Sequence, residues 1–205
     1  LETTIAKTLA HARMLSDLRE RRRVAENAHE TLSRFFSPNV VRTLAGESKQ
    51  IKPGGERKFA TYLFTDLAGF TALIETSETD VIVPLLNDYI GGITKLIFEH
   101  NGTVTKIVGD AVHAIFGAPV EYREHAEMGV SCALAIDDFC EKFKDEMNSR
   151  GIPIGVTRVG VNSGFAIIGN FGTDTFFDYT AHGDAVNIAA RLESANKQLG
   201  TRLLV

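Results

Sequence analysis

The chain is short of cysteine and of positive charge, and it has no long apolar run. Its two cysteines, Cys132 and Cys140, stand eight residues apart in a predicted helix. At about 1.5 Å rise per residue they lie about 12 Å apart, beyond disulfide reach. A reduced, cytosolic setting is therefore expected. Lys and Arg number 22 against 26 Asp and Glu, a net charge of −4, which speaks against a nucleic-acid partner. No stretch reads as the roughly 20 apolar residues of a membrane span, and no signal peptide is visible. The first residue is Leu1 rather than Met, so the expectation is an excised piece with any sensory or membrane domain upstream. The expected location is cytoplasmic, with membrane attachment of the full-length protein left open.

What is present is ordinary in bulk: 205 residues, 44% hydrophobic and 23% charged, enough for one buried domain and an accessory segment. Residues 1–36 contain neither Gly nor Pro and read as one helix. Ile5, Leu9, Ala12, Leu15, Leu18, Ala25, Ala28, Leu32 and Phe36 form a loose apolar stripe, expected to pair with a second copy. Residues 37–56, with Pro38, Gly46 and the break Pro53-Gly54-Gly55, read as a linker, and 57–205 as the main domain. There the pattern predicts a strand at 58–65, helices near 69–76 and 79–100, and a hairpin of 103–108 with 111–116. A helix over 123–149, a second strand pair at 156–162 and 165–170, a helix over 184–198 and a last strand from Arg202 follow. Gly109-Asp110 has Gly first, as a type II′ connection requires. Strand pairs interleaved with helices predict an α+β, ferredoxin-like sandwich, an antiparallel-rich sheet with helices covering one face.

Two aspartates stand where chemistry is expected. Asp66 closes the apolar run FATYLFTD, and Asp110 sits in the hairpin turn of TVTKIVGDAVHAIF. Two carboxylates, phosphate oxygens and water are what Mg²⁺ prefers. The plainer alternative makes Asp66 a helix cap. Lys106, between Val104 and Val108 on one strand face, is either an edge gatekeeper or a ligand contact. Asn187 and Arg191 are four apart on a helix, hence neighbours, suited to a ribose oxygen and a phosphate or to nothing but solvent. Arg158 is a phosphate ligand or an edge-strand charge.

Together these strings resemble the class III nucleotidyl cyclases: FTDLAGFT (64–71), KIVGDAVHAIFG (106–117), RVGVNSG (158–164) and YTAHGDAVNIAARLE (179–193), with RFFSPNV (34–40) typical of the entrance to such domains. The resemblance covers roughly 57–205. It implies that Asp66 and Asp110 hold two Mg²⁺ (or Mn²⁺) per site, with the carbonyl of Leu67 a further ligand. Lys106 would read adenine, Asn187 would orient the ribose, Arg191 would stabilise the transition state and Arg158 would contact phosphate. It also implies a homodimer with shared sites: one copy supplies the aspartates, the other Lys106, Asn187 and Arg191.

The sequence departs from the family's pattern in two places. Many members carry Asp seven residues before the asparagine, where this chain has Thr180, as in a threonine-bearing subgroup. A hydroxyl still pairs with the exocyclic amine of adenine. The family also continues past RLLV to a lysine that contacts the triphosphate, so the C-terminal end is expected to be truncated. The expected activity is an adenylate cyclase, ATP giving cyclic 3′,5′-AMP and pyrophosphate, as the output domain of a larger signalling protein. The alternatives are a guanylate cyclase, whose members carry Glu and Cys at the base-reading positions, and a catalytically silent nucleotide-binding regulator.

Overall fold

A computed structural model describes residues 37–46, 53–173 and 175–205, together with Met14, residues 18–24 and Glu26. The chain divides into two compact units, Leu1–Ser37 and Pro38–Val205. In the first, the described residues up to Glu26 are helical and exposed, with Arg22 paired to Glu26 and Arg23 to Glu20. Apart from Leu18, the apolar stripe expected to join two copies lies outside the described residues, as do linker residues 47–52.

The second unit opens with α1 (Pro38–Gly46), inside the stretch read as linker. Its reason for folding is tertiary. Asn39 is buried, and its amide donates to the carbonyls of Asn101 and Gly102 and to Thr103 Oγ1 at 3.1–3.3 Å. Strand β1 (Gly54–Leu67) begins at the expected break rather than after it. Helices α2 (Phe70–Thr76) and α3 (Thr79–Glu99) follow, then β2 (Thr103–Val108) and β3 (Ala111–Phe116). The rest is α4 (His125–Ser149), β4 (Thr157–Gly172), β5 (Phe177–His182), α5 (Asp184–Leu199) and β6 (Leu203–Leu204). The sheet order is β2-β3-β1-β4-β5, antiparallel throughout, with β6 added parallel to β4.

The β1 side chains explain the layering. Ala60 and Tyr62 point to one face, Leu63 and Leu67 to the other, and all four are buried. Alternation with apolar residues on both faces means both faces are covered. On the Leu63 side, Leu85, Tyr89, Ile93 and Ile97 of α3 and Cys132, Ile136 and Cys140 of α4 complete one core. On the Tyr62 side, Ala185 and Ala189 of α5 join Ala166, Ile168 and Ile115 in a second. The expectation that helices cover one face is corrected: α5 lies on the other. Helix α3, at 21 residues and mean hydropathy 1.4, is long and apolar enough to cross a bilayer by length and composition, contrary to the sequence reading; here its apolar side is built into the first core.

The predicted pair 156–162 and 165–170 is also corrected. It is one 16-residue strand, β4, whose true hairpin partner is β5. Two glycines of β4 serve helix packing. A Cβ on Gly160 would stand 2.2 Å from Glu193 N, and one on Gly164 would stand 2.6 Å from Ala185 Cβ. Bare backbone at these positions lets α5 settle directly on the strand.

Candidate active site

At the end of β1, Asp66 and Leu67 meet the β2–β3 turn. Gly109 takes a positive φ of 64° while Asp110 does not, the pattern a type II′ connection needs. This turn carries the Asp110 carboxylate back to the sheet, where it accepts the Leu67 N–H at 2.6 Å. Burial raises the Asp110 carboxyl above the ordinary carboxylate range. The Leu67 bond pulls it back, and the nearby Asp66 charge raises it again. Two carboxylates held close in a half-buried place repel each other, and a cation between them removes that cost. Among the described residues no three His, Cys, Asp or Glu side chains gather to cage a metal. Two carboxylates and a backbone carbonyl are hard oxygen donors, few in number, and they fit a hydrated Mg²⁺ or Mn²⁺.

Asp66 does not cap the following helix. The N-cap of α2 is Gly69, at φ 79°, with no side-chain bond, so the plainer alternative for this aspartate fails. Its carboxylate is bonded by the Arg158 guanidinium instead, and Arg158 also donates through Nε to Glu193 at 3.0 Å. The register places Arg158 directly opposite Asp66 across β1 and β4. Arg158 was expected at a phosphate; it is here the bridge between Asp66 and Glu193 of α5. The sequence reading assigned no role to Glu193, and only its burial beside a cation reveals one.

Lys106 and Thr180 come together in a second place. Both line a cleft of about 220 Å³ with Tyr62, Phe64, His113 and Val186. The expected strand face of Val104, Lys106 and Val108 does not form. A register shift between Val104 and Lys106 makes Val104 face Ala114 and Lys106 face His113. A bulge adds one residue and turns the following side chains over. Without it Lys106 would point into the first core. Sequence periodicity has no signal for a bulge, so this step was illegible. Lys106 Nζ lies 3.1 Å from Asp178 Oδ2 of β5, another residue the sequence reading left without a role. Since β2 and β5 are the two ends of the strand order, that ion pair brings opposite sheet edges together over the cleft.

Asn187 and Arg191 are exposed neighbours on α5, and neither side chain bonds to a protein group among the described residues. No hydrogen bond or ion pair joins the carboxylate cluster to Lys106, Thr180, Asn187 or Arg191 among the described residues.

A long antiparallel sheet with acids at a strand end, a cleft lined by a lysine and a helix bearing exposed Asn and Arg define an α+β domain with a candidate nucleotide site. The chain belongs to the adenylate and guanylate cyclase catalytic domain family, whose pattern it matches over residues 55–202. It is 37% identical over 148 residues to Adenylate cyclase 1 of Rhizobium meliloti (strain 1021), a match covering 72% of this chain and 22% of that protein. It superposes on the adenylyl cyclase CyaB from P. aeruginosa with a TM-score of 0.65 at 38% identity, covering 69% of this chain and 74% of that one. The guanylyl cyclase Cya2 gives a TM-score of 0.64 at 30% identity, covering 69% and 72%. The chain thus spans about a fifth of the length of that Rhizobium relative.

Proposed function

We propose that this cyclase domain is an adenylate cyclase, forming cyclic 3′,5′-AMP and pyrophosphate from ATP. The observation that carries the reading is the cleft holding Lys106 and Thr180 side by side. A lysine donates to a ring nitrogen acceptor, and a hydroxyl accepts from an exocyclic amine, the complement of adenine. Neither Glu nor Cys lines it. A guanine has a carbonyl where adenine has the amine, and the carboxylate over the cleft, Asp178, is already paired with Lys106.

Two divalent cations, Mg²⁺ or Mn²⁺, held by Asp66, Asp110 and the Leu67 carbonyl, would supply Lewis-acid activation of the ribose 3′-hydroxyl and neutralise phosphate charge. The chain's own side chains do the rest. Asn187 holds the ribose so that its 3′-oxygen faces the α-phosphorus. Arg191 donates to the phosphate oxygens as charge builds on them. Its loss is expected to cost on the order of 3 kcal/mol of barrier, about a hundredfold in rate. Arg158 adds a guanidinium beside the carboxylates, in reach of a phosphate oxygen.

The active site is shared in a homodimer: Asp66, Leu67 and Asp110 of one copy serve with Lys106, Thr180, Asn187 and Arg191 of the other. Helix geometry supports this. At about 100° per residue, Arg191 projects roughly 200° from Glu193. The α5 face bearing Arg191 therefore turns away from the cluster that Glu193 joins through Arg158. Exposed Ile107 and Val108 near the hairpin turn, and Phe176 before β5, offer apolar surface to a second copy. The domain acts as the cytoplasmic output of a longer signalling protein, with residues 1–36 passing on the signal of an upstream domain. The deciding experiment measures product from ATP and from GTP with Mg²⁺ and with Mn²⁺. Faster turnover of ATP is expected. Equal or faster turnover of GTP would make the domain a guanylate cyclase, and no product from either would make it a nucleotide-binding regulator.

A further inference from the structure

The Lys106 cleft has a floor that neither lysine nor threonine provides. The register lines up Lys106 of β2, His113 of β3, Phe64 of β1 and Gly160 of β4 as successive cross-strand partners. Paired residues point to the same sheet face, so Lys106, His113 and Phe64 form one row. The His113 and Phe64 rings lie 4.2 Å apart between centroids, tilted by 41°. Both line the cleft together with Lys106, Thr180 and Val186. The volume, about 220 Å³, falls below the roughly 300 Å³ at which pockets begin to hold drug-sized ligands. It suits a flat base.

His113 is half-buried, yet neither ring nitrogen has a protein hydrogen bond among the described residues. Among the described residues the only side-chain polar atom buried without a partner is Ser37 Oγ, so the His113 ring nitrogens stay open to the cleft, where a ligand can reach them. Burial, and then the charge of Lys106, holds its pKa below the ordinary histidine value of 6.5. At neutral pH it is an uncharged ring with one donor and one acceptor nitrogen. The other charged or titratable groups on the cleft are Tyr62, Lys106, held by Asp178, and His182. Lysine offers donors only, whereas Thr180 and the His113 ring each offer an acceptor for a purine amine.

Resting on the adenylate cyclase reading, we infer that His113 is a specificity-determining residue that contacts the purine, its imidazole supplying the cleft floor and a hydrogen bond to the base edge. The ribose and triphosphate lie beyond its reach, so its contribution falls on base binding and base choice and leaves phosphoryl transfer alone.

The test compares wild type with His113→Leu, which keeps an apolar floor but removes both nitrogens, and His113→Gln, which restores a donor and an acceptor. Two readouts are taken: calorimetric binding of α,β-methylene-ATP, and kcat and KM with ATP and with GTP. Thermal midpoints accompany both. Expected for His113→Leu is a loss of up to about tenfold in nucleotide affinity and a matching rise in ATP KM, the size of one hydrogen bond. Its kcat should change far less, the ATP-over-GTP preference should narrow, and His113→Gln should recover most of the affinity. If His113→Leu binds and discriminates as wild type does, or His113→Gln is no better than His113→Leu at an unchanged thermal midpoint, the ring is only a spacer and the inference fails. A wild type that makes no cyclic AMP would sink the adenylate cyclase reading instead, and the binding measurement still decides the role of His113.

Discussion

The two candidate metal-holding carboxylates each have a protein partner. Asp66 is bonded by Arg158, and Asp110 by the Leu67 amide. A cation that binds the folded chain and not the unfolded one raises stability in proportion to the logarithm of its concentration. Mn²⁺ titrated into wild type is therefore expected to raise the thermal midpoint. Asp66→Asn and Asp110→Asn should abolish that rise, and Asp110→Asn should leave the metal-free midpoint at or above wild type, because burial and the Asp66 charge already disfavour its ionised form. A midpoint indifferent to Mn²⁺ in wild type would count against the cation site. Two histidines set a second expectation. Burial lowers the pKa of both His113 and His125, with Lys106 adding to the effect on His113. In each case the folded value lies under the ordinary 6.5, so the unfolded chain takes the proton first. Their stabilising share is complete above 6.5 and drains away as the pH drops through the lowered folded values. Urea midpoints should decline from about pH 7.5 to about pH 5, and less steeply once both are replaced by Asn. The aspartates, Lys106, Asn187 and Arg191 were legible one by one in the sequence. Glu193 and Asp178 were not, since an acid inside a helix or near a strand looks solvated until its cation partner is placed.

Among the elements, α5 and α1 are positioned by contacts no periodicity reveals. Helix α5 rests on Gly160, where a Cβ would meet the helix backbone at Glu193 N and at Ala189 O, 2.3 Å away. Gly160→Ala is expected to cost about 1–3 kcal/mol, the usual penalty of overpacking. It should also lower activity further than the lost stability accounts for, because α5 carries Asn187, Arg191 and Glu193. Chemical denaturation beside kcat separates the two effects, and a variant with normal stability and normal kcat would contradict the packing. Helix α1 is tied by Asn39 to the carbonyls before β2, the strand that brings Lys106 to the cleft. Asn39→Ala leaves buried acceptors without a partner, so about 1–3 kcal/mol of stability should vanish. An unchanged denaturation midpoint would show the tie to be idle. The long helices and the β2–β3 hairpin could be read from the sequence because local pattern and turn chemistry decide them. The β4 strand was misread as two, because Asn162-Ser163-Gly164 has turn composition while tertiary packing keeps it extended. The cue for β5 was equally weak: FDYTAH mixes polar and apolar residues without clean alternation.

At the scale of the whole molecule, the prediction concerns two copies. If the carboxylates of one chain work with Lys106, Asn187 and Arg191 of another, Asp66→Ala and Lys106→Ala chains fail alone and recover when mixed. A heterodimer of the two holds one intact site and one doubly broken one. At equal mixing about half the dimers are heterodimers, so about a quarter of the wild-type rate per chain is expected if subunits exchange freely. Heterodimers shown to form and yet remaining inactive would overturn the shared site. Specific activity should also rise with protein concentration until dimerisation saturates.

The sequence by itself determined the family, the α+β class, the hairpin turn that carries Asp110 and the residue types available for chemistry. These follow from local rules: turn preferences, helical periodicity and motif strings that survive without knowledge of neighbours. The tertiary structure alone decided that α5 covers the face opposite α3 and α4, and that Arg158 spans Asp66 and Glu193. It also decided that Lys106, Thr180 and His113 share a cleft. Each depends on residues far apart in the chain meeting in space, and for Lys106 on a single inserted strand residue that turns its side chain from one face of the sheet to the other.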